Sequence, residues 1–228
     1  SDGLNNYCFV KQGNVQVTKS LQQSLDHETD KPTQNNFALA AIDHGAAPRN
    51  ATYEYMVLVQ PTENEVKLAS KALSSKSQML YTVLEQDSLA HIVYDKATNT
   101  TGYALFEAGK VKVKSDVLFT SMPCMIMTSK PTTNKLAISI CDPDLHFYAG
   151  NADVKYDSEG KPIERSIQSM SWINNASAVS TVEVQLAGKW KILGKSDYIQ
   201  LKNVGKDNTT LTVKCQHGFS REAVLEKQ

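Results

Sequence analysis

The sequence predicts a mainly β protein, an antiparallel β-sandwich with one short helix. Three observations predict it. Apolar side chains alternate at a period of two. β-Branched and aromatic residues fill the apolar runs, and turn residues separate those runs at roughly 8–12-residue spacing.

Taken in order, Tyr7 to Val10 and Val15 to Thr18 flank Gly13-Asn14, which reads as a tight hairpin. Asn36 to Ile42 is a mostly apolar run bounded by Pro32 and Gly45. Thr52 to Gln60 alternates, with both faces largely apolar, so a strand covered on both sides is expected there. The helix is expected from Glu63 to about Ser74. Thr62 and Glu65 form a capping box behind Pro61, and Val66, Ala69 and Leu73 recur at helical spacing beside Leu68 and Ala72. It reads as a crossover packed on a sheet.

Strand candidates then follow quickly: Met79 to Leu84, Leu89 to Tyr94, Gly102 to Phe106, Val111 to Val113, Cys124 to Thr128 and Leu136 to Cys141. Asp142 to Arg165 is rich in Asp, Gly and Asn and reads as a long loop. Beyond it lie Met170 to Ile173, Val179 to Leu186, Trp190 to Leu193, Tyr198 to Leu201, Thr209 to Cys215 and Glu222 to Leu225. No internal repeat is visible.

Composition excludes several classes. Of 228 residues, 41% are hydrophobic and 21% charged, an ordinary globular balance that argues against disorder. The apolar runs, such as Met56 to Val59, fall far short of the roughly 20 residues a membrane helix needs. Twenty-four basic residues match twenty-four acidic ones, which disfavours a nucleic-acid partner. No leader segment is visible, and the opening Ser1-Asp2-Gly3 lacks methionine, so a piece of a longer polypeptide is expected.

No motif assembles an active site. The five histidines (His27, His44, His91, His146, His217) are scattered singly, and no glycine-rich phosphate loop or G-x-S-x-G is present. The four cysteines (Cys8, Cys124, Cys141, Cys215) include no C-x-x-C, which leaves core thiols favoured over a disulfide or a metal site. Asp142-Pro143-Asp144 is a close carboxylate pair that reads as a turn more readily than as a calcium ligand set. Asp43-His44-Gly45 sits between strong strands, where a His-Asp pair competes with side chains that simply hydrogen-bond the loop. Trp172 and Trp190 suit either a core or a sugar platform, with core favoured. The sequons at Asn50, Asn99, Asn175 and Asn208 are explained by chance in so Asn- and Thr-rich a chain. Lys110, Lys112 and Lys114 alternate with Val111 and Val113. As a strand this places three ammonium groups on one face, suited to solvent or to an anionic sugar, and they are the candidate substrate-binding residues.

One stretch carries a resemblance. Residues Asn36 to Gly45 (NFALAAIDHG), Pro48, and Ala51 to Val57 (ATYEYMV) resemble a segment of bacterial chondroitin sulfate ABC lyases. These belong to the polysaccharide lyase family that also holds hyaluronate and chondroitin AC lyases. Val15-Gln16-Val17, Leu80 to Leu84, His91-Ile92-Val93, Thr101 to Ala104, Asp142 to Leu145 and Gly188-Lys189-Trp190 fit the same pattern. The resemblance implies an α/α toroid upstream, followed by antiparallel β-sandwich domains. It implies cleavage of glycosaminoglycans by β-elimination, in a periplasmic or secreted enzyme. The family's catalytic Asn, His, Tyr and Arg lie on the toroid, ahead of the matched segment, so no catalytic residue, metal or cofactor is assigned to this chain. Residues 1–114 are then expected to end a central sandwich and 115–228 to form a smaller C-terminal β domain.

Overall fold

A computed structural model describes residues 7–12, 14–26, 29–74, 80–144, 158–160 and 179–228. The chain divides into two compact units, Ser1–Met79 and Leu80–Gln228.

The first unit holds β1 (Tyr7–Gln12), β2 (Asn14–Leu25), β3 (Pro32–Asp43), β4 (Glu54–Leu58) and α1 (Glu63–Leu73). β2 and β3 pair antiparallel in unbroken register from Asn14 opposite Asp43 to Leu25 opposite Pro32. At the tip, the Asp26 carboxylate accepts from the Thr29 amide at 2.8 Å, which closes the turn. β1 pairs instead with β4, with Tyr7 opposite Leu58. The hairpin expected between Tyr7–Val10 and Val15–Thr18 is therefore corrected: both segments are strands, but each finds a distant partner. Gly13 itself lies outside the described residues. β4 also differs from expectation. Tyr55 and Val57 are half exposed while Glu54, Met56 and Leu58 are partly covered.

α1 forms as its sequence dictates. The Thr62 hydroxyl accepts from the Glu65 amide, and the Glu65 carboxylate accepts from the Thr62 amide at 2.7 Å. These bonds hold the Glu65 carboxyl below its ordinary pKa. Ala69 and Ala72 are buried, whereas Leu68 is exposed.

The second unit contains β5 (Tyr81–Gln86), β6 (Ala90–Asp95), β7 (Thr100–Leu105), β8 (Gly109–Lys110), β9 (Val117–Thr120), β10 (Cys124–Thr132), β11 (Lys135–Cys141), β12 (Ser180–Ala187), β13 (Trp190–Leu193), β14 (Ile199–Val204), β15 (Asn208–Cys215) and β16 (Arg221–Lys227). They form a seven-stranded antiparallel sheet, β13-β16-β11-β10-β7-β6-β5, and a five-stranded one, β14-β15-β12-β9-β8. Period-two alternation sends Ile92, Tyr103, Ile126, Leu136 and Ile140 inward from the first, to meet Val182, Val184, Leu186, Leu211 and Val213 from the second. This is the sandwich that the alternation predicts.

The division differs from the boundary expected at 114/115. β7 pairs with β10 and β8 with β9 across that point, so strands on both sides share the same two sheets and one core. Met170 to Ile173, Trp172 and most of the long loop lie outside the described residues.

Trp190 belongs to the core, 5% exposed, with its indole N–H donating to the Ala187 carbonyl at 2.7 Å. Gly188 turns there at φ +91°, and a Cβ on it would lie 3.3 Å from the indole nitrogen. Cys124 and Cys215 are buried and free, as expected of core thiols, and burial pushes the Cys124 thiol up to about 12. Cys141 is half-buried and Cys8 exposed.

Candidate functional site

The three lysines singled out by sequence are all exposed, because Val111 and Val113 turn inward against the core and force their neighbours outward. Of the three only Lys110 lies in a strand. It pairs with Phe119 in the short β8–β9 ladder, and one further amide, that of Val111, donates to the Leu118 carbonyl at 3.0 Å. Beyond that point regular pairing stops.

Lys112 is committed elsewhere. Its ammonium lies 2.5 Å from an Asp87 carboxylate oxygen and 4.0 Å from Glu85. A register shift between Val83 and Glu85 sets Glu85 opposite the inward-facing Ile92, leaving its side chain only 7% exposed. Asp87 also accepts from the backbone amides of Leu89 at 2.8 Å and Ala90 at 3.1 Å, at the turn between β5 and β6. The Lys112 hydrogen bond, with those two amides behind it, holds the Asp87 carboxyl down to about 2. Lys112 thus ties the segment after β8 to the β5–β6 turn. The structure does not present three equivalent ammonium groups. Among the described residues, no carboxylate forms an ion pair with Lys110 or Lys114.

The remaining candidates resolve locally. Asp43 accepts from the Gly45 amide at 2.7 Å, as expected for a loop-bonding side chain, and the His44 ring lies 6.1 Å from that of Tyr53. Asp142 accepts from the Asp144 amide at 3.0 Å, the turn reading of Asp-Pro-Asp. His91 meets the edge of Phe106, and His217 that of Phe219. His27 and His146 lie outside the described residues. Among the described residues no group of three His, Cys, Asp or Glu side chains is arranged to hold a metal ion, and no helix is long and apolar enough to cross a membrane.

Sequence reasoning missed Val117–Thr120 as a strand. The apolar triplet Val117-Leu118-Phe119 between Asp116 and Ser121 was the available signal.

Residues 82–145 match the family described as polysaccharide lyase family 8, C-terminal beta-sandwich domain. Over those residues the chain is thus similar to the C-terminal domain of a lyase family. More particularly, it is 34% identical over 207 residues to a chondroitin sulfate ABC exolyase of Bacteroides thetaiotaomicron, covering 90% of this chain and 20% of the relative. It is 29% identical over 222 residues to a chondroitin sulfate ABC endolyase of Proteus vulgaris, covering 97% and 19%. The chain thus spans about one fifth of the length of these relatives. The fold is similar to parts of two solved structures. One is a Streptomyces coelicolor chondroitin AC lyase, with TM-score 0.61 and 12% identity over 97% of this chain and 25% of that one. The other is a Paenibacillus xanthan lyase, with TM-score 0.62 and 17% identity over 100% and 19%.

Proposed function

We propose that this chain is the C-terminal scaffold portion of a glycosaminoglycan lyase. The whole enzyme would act on chondroitin or dermatan sulfate by β-elimination, in the periplasm or outside the cell. The observation that carries this reading is the alignment of nearly the whole chain with one fifth of each chondroitin sulfate ABC lyase. β-Elimination needs a base near the uronate C5 proton and groups that neutralise the carboxylate as charge develops. The described histidines sit apart from one another in separate aromatic contacts, which supports a supporting role for these sheets. The machinery would lie on an upstream α/α toroid of the same polypeptide, working without a metal or cofactor supplied by this portion.

The test is direct. The 228-residue polypeptide is incubated with chondroitin sulfate, and the ultraviolet absorbance of the unsaturated uronate product is followed. Silence is expected from this chain and cleavage from the full-length enzyme. Robust cleavage by the chain alone would remove the scaffold reading.

A second reading is a carbohydrate-binding β-sandwich module. The exposed ammonium groups of Lys110 and Lys114, which have no ion-pair partner among the described residues, favour it.

A further inference from the structure

The two sheets of the second unit present unlike outer faces. On the seven-stranded sheet the outward side chains include Met125, Met127, Val224 and Leu193, all partly or well exposed. A shallow hollow of about 390 Å³ lies between Met127, Leu193 and Val224. The five-stranded sheet is different. Alternation buries Val184, Leu186, Leu211 and Val213, so Gln185, Thr210, Thr212 and Lys214 face out.

Register then draws one row across all five strands. Lys202 on β14 stands opposite Thr210 on β15, and Thr210 opposite Gln185 on β12. Gln185 stands opposite Phe119 on β9, and Phe119 opposite Lys110 on β8. Four interstrand spacings make this row about 19 Å long. It carries an ammonium group at each end, an amide and a hydroxyl between them, and one aromatic ring partly open to solvent. Two rows further along the same face, past Thr212 opposite Glu183, stands Lys214, whose amide donates to the Tyr198 carbonyl at 2.8 Å. The Tyr198 ring is covered by the Arg221 guanidinium, 3.8 Å from its centroid.

The charge balance is lopsided. Among outward strand residues of this sheet, Lys110, Lys202 and Lys214 face a single carboxylate, Glu183, although the chain as a whole is neutral. No described carboxylate forms an ion pair with any of the three. Cations without a carboxylate partner among the described residues, set along a row of hydrogen-bonding groups, suit a linear polyanion better than an apolar protein surface.

We propose that the outer face of the five-stranded sheet binds an anionic polysaccharide lying across the strands. Lys110 and Lys202 take two of its acidic groups, Gln185 and Thr210 take hydroxyls, and Phe119 supports a sugar ring. This deepens the lyase reading and rests on it for the choice of chondroitin sulfate as ligand. It gives Lys110 a role that neither Lys112 nor Lys114 shares.

The test is calorimetric titration of the 228-residue chain, at low ionic strength, with chondroitin sulfate oligosaccharides, polygalacturonate and a neutral dextran. Binding of chondroitin sulfate but not of dextran is expected. The double variant K110Q/K202Q is expected to weaken it roughly tenfold, through loss of two charge contacts with the polyanion. K135Q, on the other sheet, is expected to leave it unchanged. These are surface substitutions that should not disturb folding, which circular dichroism checks. Equal affinity of K110Q/K202Q and wild type overturns the proposal, as does absence of binding to either polyanion. Binding of polygalacturonate with refusal of chondroitin sulfate supports the surface while overturning the chondroitin reading.

Discussion

The Thr209 hydroxyl lies 3.1 Å from the backbone nitrogen of Trp190 and accepts its hydrogen bond, joining β15 of one sheet to β13 of the other. Both residues are buried, Thr209 completely. The same hydroxyl is 2.9 Å from the Gly188 carbonyl and 2.6 Å from the Asn203 side-chain oxygen, so its single proton has two acceptors to hand.

Replacing Thr209 by valine keeps the shape and removes the acceptor. The Trp190 amide is then left with only the longer contact to Asn203, at 3.4 Å. Thr209→Val is expected to cost about 1–3 kcal/mol. Urea denaturation should show a lower midpoint at unchanged slope.

The Lys112–Asp87 contact makes stability depend on acid. The Asp87 carboxyl is held from 3.8 down to about 2, so the folded state favours its ionised form. A depressed folded pKa gives stabilisation that is complete above the unfolded value and is lost as pH falls through the folded one. The contribution should therefore fade between about pH 4 and pH 2. Asp87→Asn should abolish that part of the dependence, seen as a flatter melting temperature against pH over the same window.

Leu136 and Leu225 stand opposite each other in the β11–β16 ladder, both fully buried. Leu136→Ala removes packed volume at the sandwich centre and should cost about 2–5 kcal/mol. Leu193→Ala, at a position 39% exposed on the outer face, should cost far less. Paired thermal melts of the two variants check the ranking.

Thiol reactivity should separate the cysteines. Cys8 is exposed, whereas Cys124 and Cys215 are buried, with pKa values raised chiefly by desolvation. An aromatic disulfide reagent at neutral pH should modify Cys8 rapidly in the native chain. It should reach Cys124 and Cys215 only after denaturation, with mass spectrometry locating each adduct.

Local signals were read well because they are local. The Thr62–Glu65 box and the spacing of Val66, Ala69 and Leu73 concern residues one turn apart, and α1 forms there. Alternation likewise marked most strands, from Leu89 onward. Pairing was less legible. The register of β1 with Leu58 or of β13 with β16 depends on residues far along the chain, and no local pattern encodes it. The strand expected at Val111–Val113 fails for a similar reason: an acidic turn on β5–β6, more than twenty residues earlier, captures Lys112. The row from Lys110 to Lys202 was invisible in sequence because its five members come from five separate strands.

The division after Met79 has a practical corollary. Every member of the packed core, from Ala90 to Leu225, lies on its C-terminal side, while β2 and β3 carry Val17, Leu21, Phe37 and Leu39 open to water. A recombinant polypeptide opening at Leu80 should thus be monodisperse and melt cooperatively, whereas the preceding stretch produced alone should clump through its bare hairpin.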